Sequence, residues 1–409
     1  MKYIYIKLTS VLILVFFYSF GSCSKDSTGS NSLPEVETWV TDEKMPILSW
    51  KSIDLVNSSL KNYTDLANCG FTHSLSTIWD SEDPVTKYNA NLLSIALDYA
   101  EQTNIKVIGG CHELHTDTEA TVNRFKDHPA LEGWFLKDEP VLSEIEPLGV
   151  LAQKIQEIDQ ENYIYVNMRP MDATPEQMGT SDYNTIFNAY LEKIPTKFLS
   201  FDKYPCQIDD NGKLYVFDKW YDNLQLYLDA SKKEGKSFWA FASCTKFESV
   251  QATPSLETLR LQMYTNLAYG AQGLQYYVYQ YPNNPLYNIV KQLNVEIQNY
   301  AKVFLNATVK SVTHTGKIIP YNTKRFENAP SVFKKFMTGG TEGAVVSVLE
   351  KNGKNFLVVV SRDLNNKMPV TIEVDSKVRK VTKNGKLESI NGTVIESLSP
   401  GDALVYAWD

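Results

Sequence analysis

The stretch from residue 131 to residue 140 places two carboxylates where they could do acid–base chemistry. It reads Leu-Glu-Gly-Trp-Phe-Leu-Lys-Asp-Glu-Pro, so an apolar run that predicts a buried strand ends at Asp138 and Glu139. Pro140 then ends the strand, because proline has no N–H for a sheet hydrogen bond and fixes its own φ. A carboxylic acid at a strand end, beside aromatic side chains that raise its pKa, is suited to general acid catalysis. We expect Glu139 to be that acid and one of the two carboxylates to cap the following helix.

Strands and helices alternate along residues 41–308. Eight short apolar runs predict strands, at residues 45–50, 71–78, 106–111, 131–136, 163–168, 198–201, 237–243 and 273–279. Helical spacing of apolar residues lies between them, for example at 88–102 and from Val150 to Ile158, and segments 180–182 and 254–257 carry helix-start signals. This alternation predicts parallel βαβ units, and eight of them predict an α/β fold, a (β/α)8 TIM barrel. An open doubly wound sheet is the alternative, but no G-x-G-x-x-G motif follows the first strand.

The pattern changes after the barrel region. Residues 309–409 hold short β-rich runs separated by turn signals such as Asn-Gly and Pro-Gly-Asp. The runs lie at 344–349, 355–361, 370–374 and 403–408. Turns of this type between alternating strands predict a small antiparallel β-sandwich as an accessory domain.

The N-terminal residues predict a targeting segment. Residues 1–22 combine a positive start with an apolar run that is short for a membrane span, and Gly-Ser precedes Cys23. Small residues before a lone cysteine resemble a bacterial lipoprotein signal, with lipidation at Cys23. Ser24-Lys25-Asp26, directly after it, resembles the surface-export signals of Bacteroidetes lipoproteins. Residues 23–40, rich in Ser, Asn and Gly, would be a flexible tether. The expected location is the cell envelope, and an ordinary secretory signal is the alternative.

The carboxyl ends of parallel strands in a barrel converge on one mouth. The residues predicted there are Trp50, Trp79, Asp80, His112, Glu113, Asp138, Glu139, Asn167, Arg169, Asp202, Lys203, Tyr204, Ser243, Lys246, Tyr277, Tyr279 and Gln280. The combination of carboxylates and aromatic rings is typical of a carbohydrate cleft. The 24 Tyr and 7 Trp of the chain agree with this, and a net charge of −8 argues against nucleic acid as a partner.

Six aromatic residues are candidate platforms for a sugar ring: Trp50, Trp79, Tyr204, Trp239, Tyr277 and Tyr279. Because a strand alternates its faces, about half of them would instead belong to the core. Tyr277 and Tyr279 are predicted to share one face, whereas Trp134 lies well before its strand end and is expected in the core. The polar substrate contacts are predicted to be His112, Glu113, Asp138, Asn167 and Arg169.

Three stretches carry a resemblance to clan-A glycoside hydrolases, nearest in character to the family-42 β-galactosidases. They are residues 134–140, residues 260–277, and Leu-Ser-Pro-Gly-Asp at 398–402. The resemblance implies a barrel with an accessory β-domain, an acid/base residue after strand four and a glutamate nucleophile after strand seven. The first role maps onto Glu139. The second has no match, because strand seven reads Phe-Trp-Ala-Phe-Ala-Ser-Cys at 238–244.

The second carboxylate therefore has several candidates. Asp202 is favoured, since it too follows an apolar run and precedes a proline, although an ion pair with Arg169 or Lys203 would give it a purely structural role. Glu113 and Glu248 are alternatives. Carboxyl groups about 5–5.5 Å apart would imply retention at the anomeric carbon, and about 6.5–9.5 Å would imply inversion.

Other chemistries have weaker support. The segment 112–115 reads His-Glu-Leu-His, which is not the H-E-x-x-H zinc motif, so a metal hydrolase using His112 and His115 is a minor alternative. We expect no metal and no cofactor. Cys206 and Cys244 could form a disulfide, but free thiols are equally compatible with the sequence. The sequence thus predicts a glycoside hydrolase anchored in the envelope, and the main alternative is a non-catalytic glycan-binding lipoprotein.

Overall fold

The computed structural model of the protein describes residues 43–76, 88–246, 248–279 and 284–409. The predicted signal, Cys23 and the tether lie outside the described residues, and so do Trp79, Asp80 and Gln280. Within the described ranges, none of the helices combines the length and the apolar character needed to cross a membrane.

Eight parallel strands form a barrel, and each overlaps one of the predicted runs. They are β1 Ile47–Trp50, β2 His73–Ser76, β3 Lys106–Gly109, β4 Leu131–Asp138, β5 Tyr163–Asn167, β6 Phe198–Phe201, β9 Ser237–Ser243 and β10 Gly273–Tyr277. Their order in the sheet is β5-β4-β3-β2-β1-β10-β9-β6. Met168 closes the ring, because its N–H donates to the carbonyl of Ser200 at 2.9 Å and it forms a parallel bridge with Phe201. The predicted TIM barrel is confirmed.

Helices cover the barrel. They are α1 Leu60–Asn68, α2 Ala90–Gln102, α3 His112–Thr116, α4 Thr118–Phe125, α5 Leu142–Ile158, α6 Pro175–Met178, α7 Tyr183–Lys193, α8 Lys219–Glu234, α9 Leu256–Ala268, α10 Tyr287–Asn299 and α11 Ala301–Phe304. Both predicted helix starts are confirmed: Asp182 accepts from the N–H of Asn184 at 3.1 Å, and Ser255 caps α9. The prediction for Val150 is wrong. It is 61% exposed, because the buried stripe of α5 runs through residues three or four positions apart, such as Ala152 and Ile155.

Alternation along β4 divides its side chains between two layers. Phe135 points into the barrel, where it contacts the rings of Trp50 and Tyr165. Trp134 points outward into the helix layer and is fully buried, as predicted. Its indole Nε1 donates to Oδ2 of Asp159 at 2.7 Å, so this bond fixes the strand that ends at the predicted acid.

The C-terminal part is an antiparallel β-sandwich, as predicted. Its strands are β11 Thr308–His314, β12 Phe333–Thr338, β13 Ala344–Lys351, β14 Lys354–Ser361, β15 Met368–Val374, β16 Arg379–Val381, β17 Leu387–Ser389, β18 Thr393–Leu398 and β19 Ala403–Trp408. One sheet has the order β11-β13-β14-β19-β16-β17, and the other has the order β12-β15-β18. A separate hairpin, β7 Cys206–Ile208 and β8 Leu214–Val216, follows β6 in the barrel.

The larger sheet of the sandwich packs on both of its faces. One face, which includes Val359, shares a core with Ile372 of the smaller sheet. The opposite face, which includes Val358, joins the barrel core and contacts α9. Helix α9 is buried nearly all round, which is expected of a helix enclosed between two layers. The sandwich and the barrel therefore have a continuous apolar interface.

The four cysteines of the described residues, Cys69, Cys111, Cys206 and Cys244, are buried and free. Burial raises the pKa of the Cys69 thiol to about 11, so the neutral form packs as a small apolar group. Cys206 and Cys244 form no disulfide in this structure.

Asp159→Ala tests the anchor of β4. The carboxylate is 4% exposed and accepts from Trp134, from the N–H of Asn162 at 3.0 Å and from the amide of Asn162 at 2.9 Å. Removing it leaves buried donors without an acceptor, so we expect the free energy of unfolding to fall by about 2 kcal/mol. Urea denaturation measures this. Asp229→Ala removes an exposed carboxylate bonded to Gln225 and should change stability by less than about 0.5 kcal/mol; equal losses in the two variants would contradict the assignment.

Candidate active site

The chain turns sharply where β4 ends. Glu139 has a φ of +48°, a conformation that costs a non-glycine residue on the order of 1 kcal/mol or more and is commonest at functional sites. Its N–H donates to the carbonyl of Asn167 at 2.8 Å, and this bond holds the turn against the end of β5. Helix α5 is capped by Glu144, which accepts from the N–H of Val141 at 2.9 Å. The prediction that Asp138 or Glu139 caps this helix is wrong, and both acids face the mouth.

Asn167 connects the acids of two strands. Its Nδ2 donates to Asp138 at 3.2 Å and to Asp202, after β6, at 3.0 Å. Its Oδ1 accepts from the hydroxyl of Ser200 at 2.8 Å, which fixes which way the amide points. Ser200 in turn accepts from Gln275 at 2.9 Å. Asn167 is 1% exposed, and its fixed amide holds the two carboxylates in place. It also lines the cavity above them.

Glu139 and Asp202 are in direct contact through a carboxyl–carboxyl hydrogen bond. Burial, followed by the charges of Glu139 and Asp138, raises the pKa of Asp202 well above its usual range. Burial and the charge of Asp138 also raise the pKa of Glu139, but the Arg169 guanidinium, 2.7 Å away, opposes that change. The shared proton therefore belongs to Asp202, which donates to the Glu139 carboxylate.

The cations predicted beside Asp202 pair with other acids. Arg169 pairs with Glu139, and Lys203 pairs with Asp172 at 2.5 Å. Among the described residues, neither Arg169 nor Lys203 forms an ion pair with Asp202, so the purely structural role considered for Asp202 is not supported.

Two cavities open at the mouth, on either side of the acid pair. The central cavity, about 210 Å³, is lined by Trp50, Asp138, Glu139, Asn167, Asp202, Tyr204, Phe241 and Tyr277. The lateral cavity, about 240 Å³, is lined by Glu139, Arg169, Pro170, Asp172, Ala173, Gln177, Asp202, Lys203, Tyr204, Gln207, Glu248 and Gln251. Glu139, Asp202 and Tyr204 belong to both, so the acid pair lies at the junction of the cavities.

Three predicted platforms reach the central cavity. Trp50 forms its floor and contacts Phe241 at a ring-centroid distance of 5.0 Å. The rings of Tyr204 and Tyr277 lie 5.1 Å apart. Burial and the nearby acids raise the pKa of Tyr277 to about 12, so its phenol is neutral and can donate to a ligand. The central cavity therefore combines aromatic faces with hydrogen-bonding groups.

Two other predicted platforms lie elsewhere. Tyr279 is 2% exposed and packs on Phe71 at 4.9 Å, so the prediction that it shares a face with Tyr277 is wrong. The physical reason is that β10 ends at Tyr277 and strand alternation stops there. Trp239 lies near the start of β9, far from its mouth end at Ser243, and stacks on Phe198 at 4.3 Å in the barrel interior.

The residues after β3 have a local structural role. His112 begins α3, and Glu113 accepts from the N–H of Ala90 at 2.9 Å, which holds the start of α2. Neither residue lines the central or the lateral cavity. In the part of the chain that the structure describes, no group of three or more His, Cys, Asp and Glu side chains is arranged to hold a metal ion.

Sequence reasoning missed several residues of the site. Lys51 is 7% exposed with a φ of +44°. Burial raises the pKa of both Asp138 and Glu139, and the charge of Lys51 opposes that change. Because Lys51 directly follows Trp50 at the end of a predicted strand, its place in the sequence could have identified it as a residue of the mouth. Gln207 and Gln251 come from the hairpin and from the loop after β9, and no signal in the sequence brings these two segments together.

No protein-family model matches the chain, and no curated protein matches it. Solved structures do. A protein described as "Glycoside hydrolase" has a TM-score of 0.53 at 14% identity, over 91% of this chain and 92% of its own. A glycoside hydrolase family 5 protein from Bacteroides vulgatus has a TM-score of 0.52 at 12% identity, over 90% and 93%. Eubacterium rectale Amy13B has a TM-score of 0.56 at 9% identity, over 91% and 97%. The chain therefore has a fold found in glycoside hydrolases.

Asp202→Asn tests the protonation of the acid pair. A raised pKa in the folded state means that the folded protein keeps a proton which the unfolded chain releases, so this group's contribution to stability falls as the pH rises above the ordinary carboxyl range. Asparagine has no proton to lose but can still donate to Glu139. We expect the variant to melt about 2–4 °C above the wild type near pH 8, and the difference to shrink towards pH 4.

Thermal melts of both proteins across this pH range measure the effect. Asp229→Asn serves as the control, because this carboxylate is exposed on α8. A variant that is less stable than the wild type near pH 8 would show that Asp202 is charged in the folded protein.

Proposed function

We propose that the protein is a glycoside hydrolase that acts on an oligo- or polysaccharide, with Glu139 as the proton donor. The observation that carries the proposal is the position of Glu139 at the junction of the two cavities, with 28% of its side chain exposed. A sugar ring in the central cavity and its leaving group in the lateral cavity would be linked by an oxygen beside this carboxyl. A proton donor at that point suits acid-assisted cleavage.

Asp202 would supply the proton that Glu139 transfers. The O–H of Asp202 first passes its proton along the hydrogen bond to the Glu139 carboxylate, and Glu139 then gives this proton to the linking oxygen, so the pair delivers one proton in total. The cleaving bond leaves positive charge on the sugar ring, and the carboxylates of Asp138 and of the pair would stabilise that charge. Water then adds to the anomeric carbon and releases a proton to the pair, which restores the protonated Asp202.

This role for Asp202 differs from the nucleophile or base that the sequence suggested. An acid and a nucleophile on opposite sides of an anomeric carbon are about 5–5.5 Å apart, and an acid and a water-activating base are about 6.5–9.5 Å apart. A direct hydrogen bond between two carboxyls leaves no room for a sugar carbon between them, which favours a proton-sharing pair.

The proposal includes the location of the protein. Residues 1–22 would direct export, and a lipid at Cys23 would hold the protein in the cell envelope through the segment 23–40. The basis is the residue pattern of the signal and the lone cysteine. Glycans that cannot cross a membrane are available to a hydrolase at that location.

A non-catalytic glycan-binding protein is the second candidate. Two observations favour it: β9 ends at Ser243 with no acid, and Glu139 is ion-paired with Arg169. The aromatic lining of the central cavity would serve binding alone equally well.

Glu139→Gln separates the two candidates. A neutral amide keeps the shape of the side chain but has no proton to transfer, so we expect cleavage to fall roughly 10²–10⁴-fold while binding is retained. The measurement is reducing-sugar release from a panel of plant and host glycans, with binding followed by titration calorimetry on the same panel.

Glu113→Gln is the matched control, since Glu113 supports α2 and lies outside both cavities. It should leave turnover within about twofold. Binding without turnover in the wild type as well as in the variant would favour the non-catalytic candidate.

Asp202→Asn also changes the pH profile. Without a second carboxyl, no proton is stored beside Glu139, so the alkaline limb of kcat/KM should move to lower pH while activity remains at acidic pH. Initial rates across about pH 4 to 9 measure the shift. Loss of activity at every pH would instead indicate that Asp202 is the nucleophile or base.

A further inference from the structure

The β7–β8 hairpin contributes Gln207 to the lining of the lateral cavity. Gln207 and Tyr215 pair across the hairpin, and the hydroxyl of Tyr215 donates to Oε1 of Gln207 at 2.6 Å. This bond uses the amide oxygen, so the NH₂ group of Gln207 is the part available to a ligand in the cavity. Tyr215 is 42% exposed. Its hydroxyl therefore orients the side chain of Gln207, which lines the cavity, from a position in contact with solvent.

The loop after β9 extends this hairpin. The N–H of Ile208 donates to Val250 at 2.8 Å, and the N–H of Ala252 donates to Cys206 at 3.0 Å. Between these bonds Gln251 forms a bridge with Gln207, and both side chains line the lateral cavity. The hairpin and this loop thus form a small three-stranded patch beside the lateral cavity.

Asn365, a side chain of the β-sandwich, holds the outer edge of this patch, and Lys213 in the hairpin turn also lies 4.0 Å from Glu342 of the sandwich. Oδ1 of Asn365 accepts from the N–H of Leu214 at 3.1 Å, and Nδ2 of Asn365 donates to the carbonyl of Leu214 at 2.7 Å. These two bonds satisfy the backbone of β8 as a neighbouring strand would. Asn365 is itself fixed, because its N–H donates at 2.8 Å to Asp363, which is 6% exposed.

The lateral cavity differs in chemistry from the central one. Its lining includes the amides of Gln177, Gln207 and Gln251 and the Lys203–Asp172 ion pair, with Tyr204 as its aromatic ring. Amides and charged groups of this kind bind hydroxyl groups, whereas the rings of the central cavity suit the apolar face of a sugar. The acid pair lies between the two environments.

From these contacts we infer that the lateral cavity is the subsite for the leaving-group sugar, and that Asn365 of the β-sandwich is a positioning residue for it. The inference rests on the proposed function. The sandwich does not contact the substrate itself. It holds the β7–β8 hairpin across the domain interface, and through this hairpin it determines which leaving groups are bound.

Asn365→Ala tests this inference, and Asn366→Ala is the matched control in the same turn, where the side chain contacts Asp363 and not the hairpin. The substrates are 4-nitrophenyl monosaccharide glycosides and the unmodified di- to tetrasaccharides of the same sugars. We expect KM for the oligosaccharides to rise about threefold to tenfold in Asn365→Ala, with kcat nearly unchanged. The nitrophenyl glycosides, which lack leaving-group hydroxyls, should change by less than about twofold.

Tyr215→Phe gives a second test that leaves the hairpin backbone intact. It removes only the hydroxyl that orients Gln207, and it should produce the same selective rise in KM as Asn365→Ala. Melting temperatures within about 2 °C of the wild type would show that neither variant acts by unfolding.

The outcomes distinguish this inference from the proposed function. If the wild type cleaves and Glu139→Gln does not, but Asn365→Ala affects both substrate types equally or neither, the subsite assignment is wrong and the proposed function stands.

If the wild type cleaves none of these substrates, the subsite assignment is tested by titration calorimetry with the same oligosaccharides and with methyl monosaccharide glycosides. Selective weakening of oligosaccharide binding in Asn365→Ala supports the subsite without hydrolysis, and equal or absent binding overturns it.

Discussion

The hydrogen bonds from one buried amide organise the mouth of this barrel. Asn167 donates to Asp138 and to Asp202, and so it brings acids from β4 and β6 together with Glu139. Such a cluster is costly, because like charges repel and burial disfavours ionisation. The structure limits that cost in two ways: Asp202 keeps its proton, and Arg169 and Lys51 lie close to the remaining charge.

The supports of this amide come from deep in the barrel. Ser200 donates to Asn167, Gln275 donates to Ser200, and Tyr165 donates to Gln275 at 2.5 Å. These side chains point inward from β5, β6 and β10, so the network crosses the barrel beneath the cavities. This network fixes Asn167 and the two acids that it bonds from within the barrel, whereas loop residues such as Arg169 contact Glu139 and shape the lateral cavity.

Much of the fold could be predicted, because local patterns carry it. A strand between turn signals needs only a run of apolar residues, and all eight barrel strands follow such runs. The wrong predictions concern positions at the ends of strands and helices, where the local sequence pattern no longer applies. Tyr279 follows the alternation of β10 in the sequence, but the strand stops two residues earlier, and Glu144 replaces the expected acids as the cap of α5.

The sequence by itself identified Asp138, Glu139 and Asp202 as acids at strand ends, because an apolar run that ends in an acid places that side chain at the end of a strand. Glu113 was predicted by the same rule but lines neither cavity. The sequence could not determine what those acids touch. The contact of Glu139 with Asp202 requires the closure of the barrel between β5 and β6, and the hold of Asn365 on Leu214 joins residues 151 positions apart. Only the tertiary structure decides such contacts, because they depend on the register and packing of distant segments, which no local periodicity encodes.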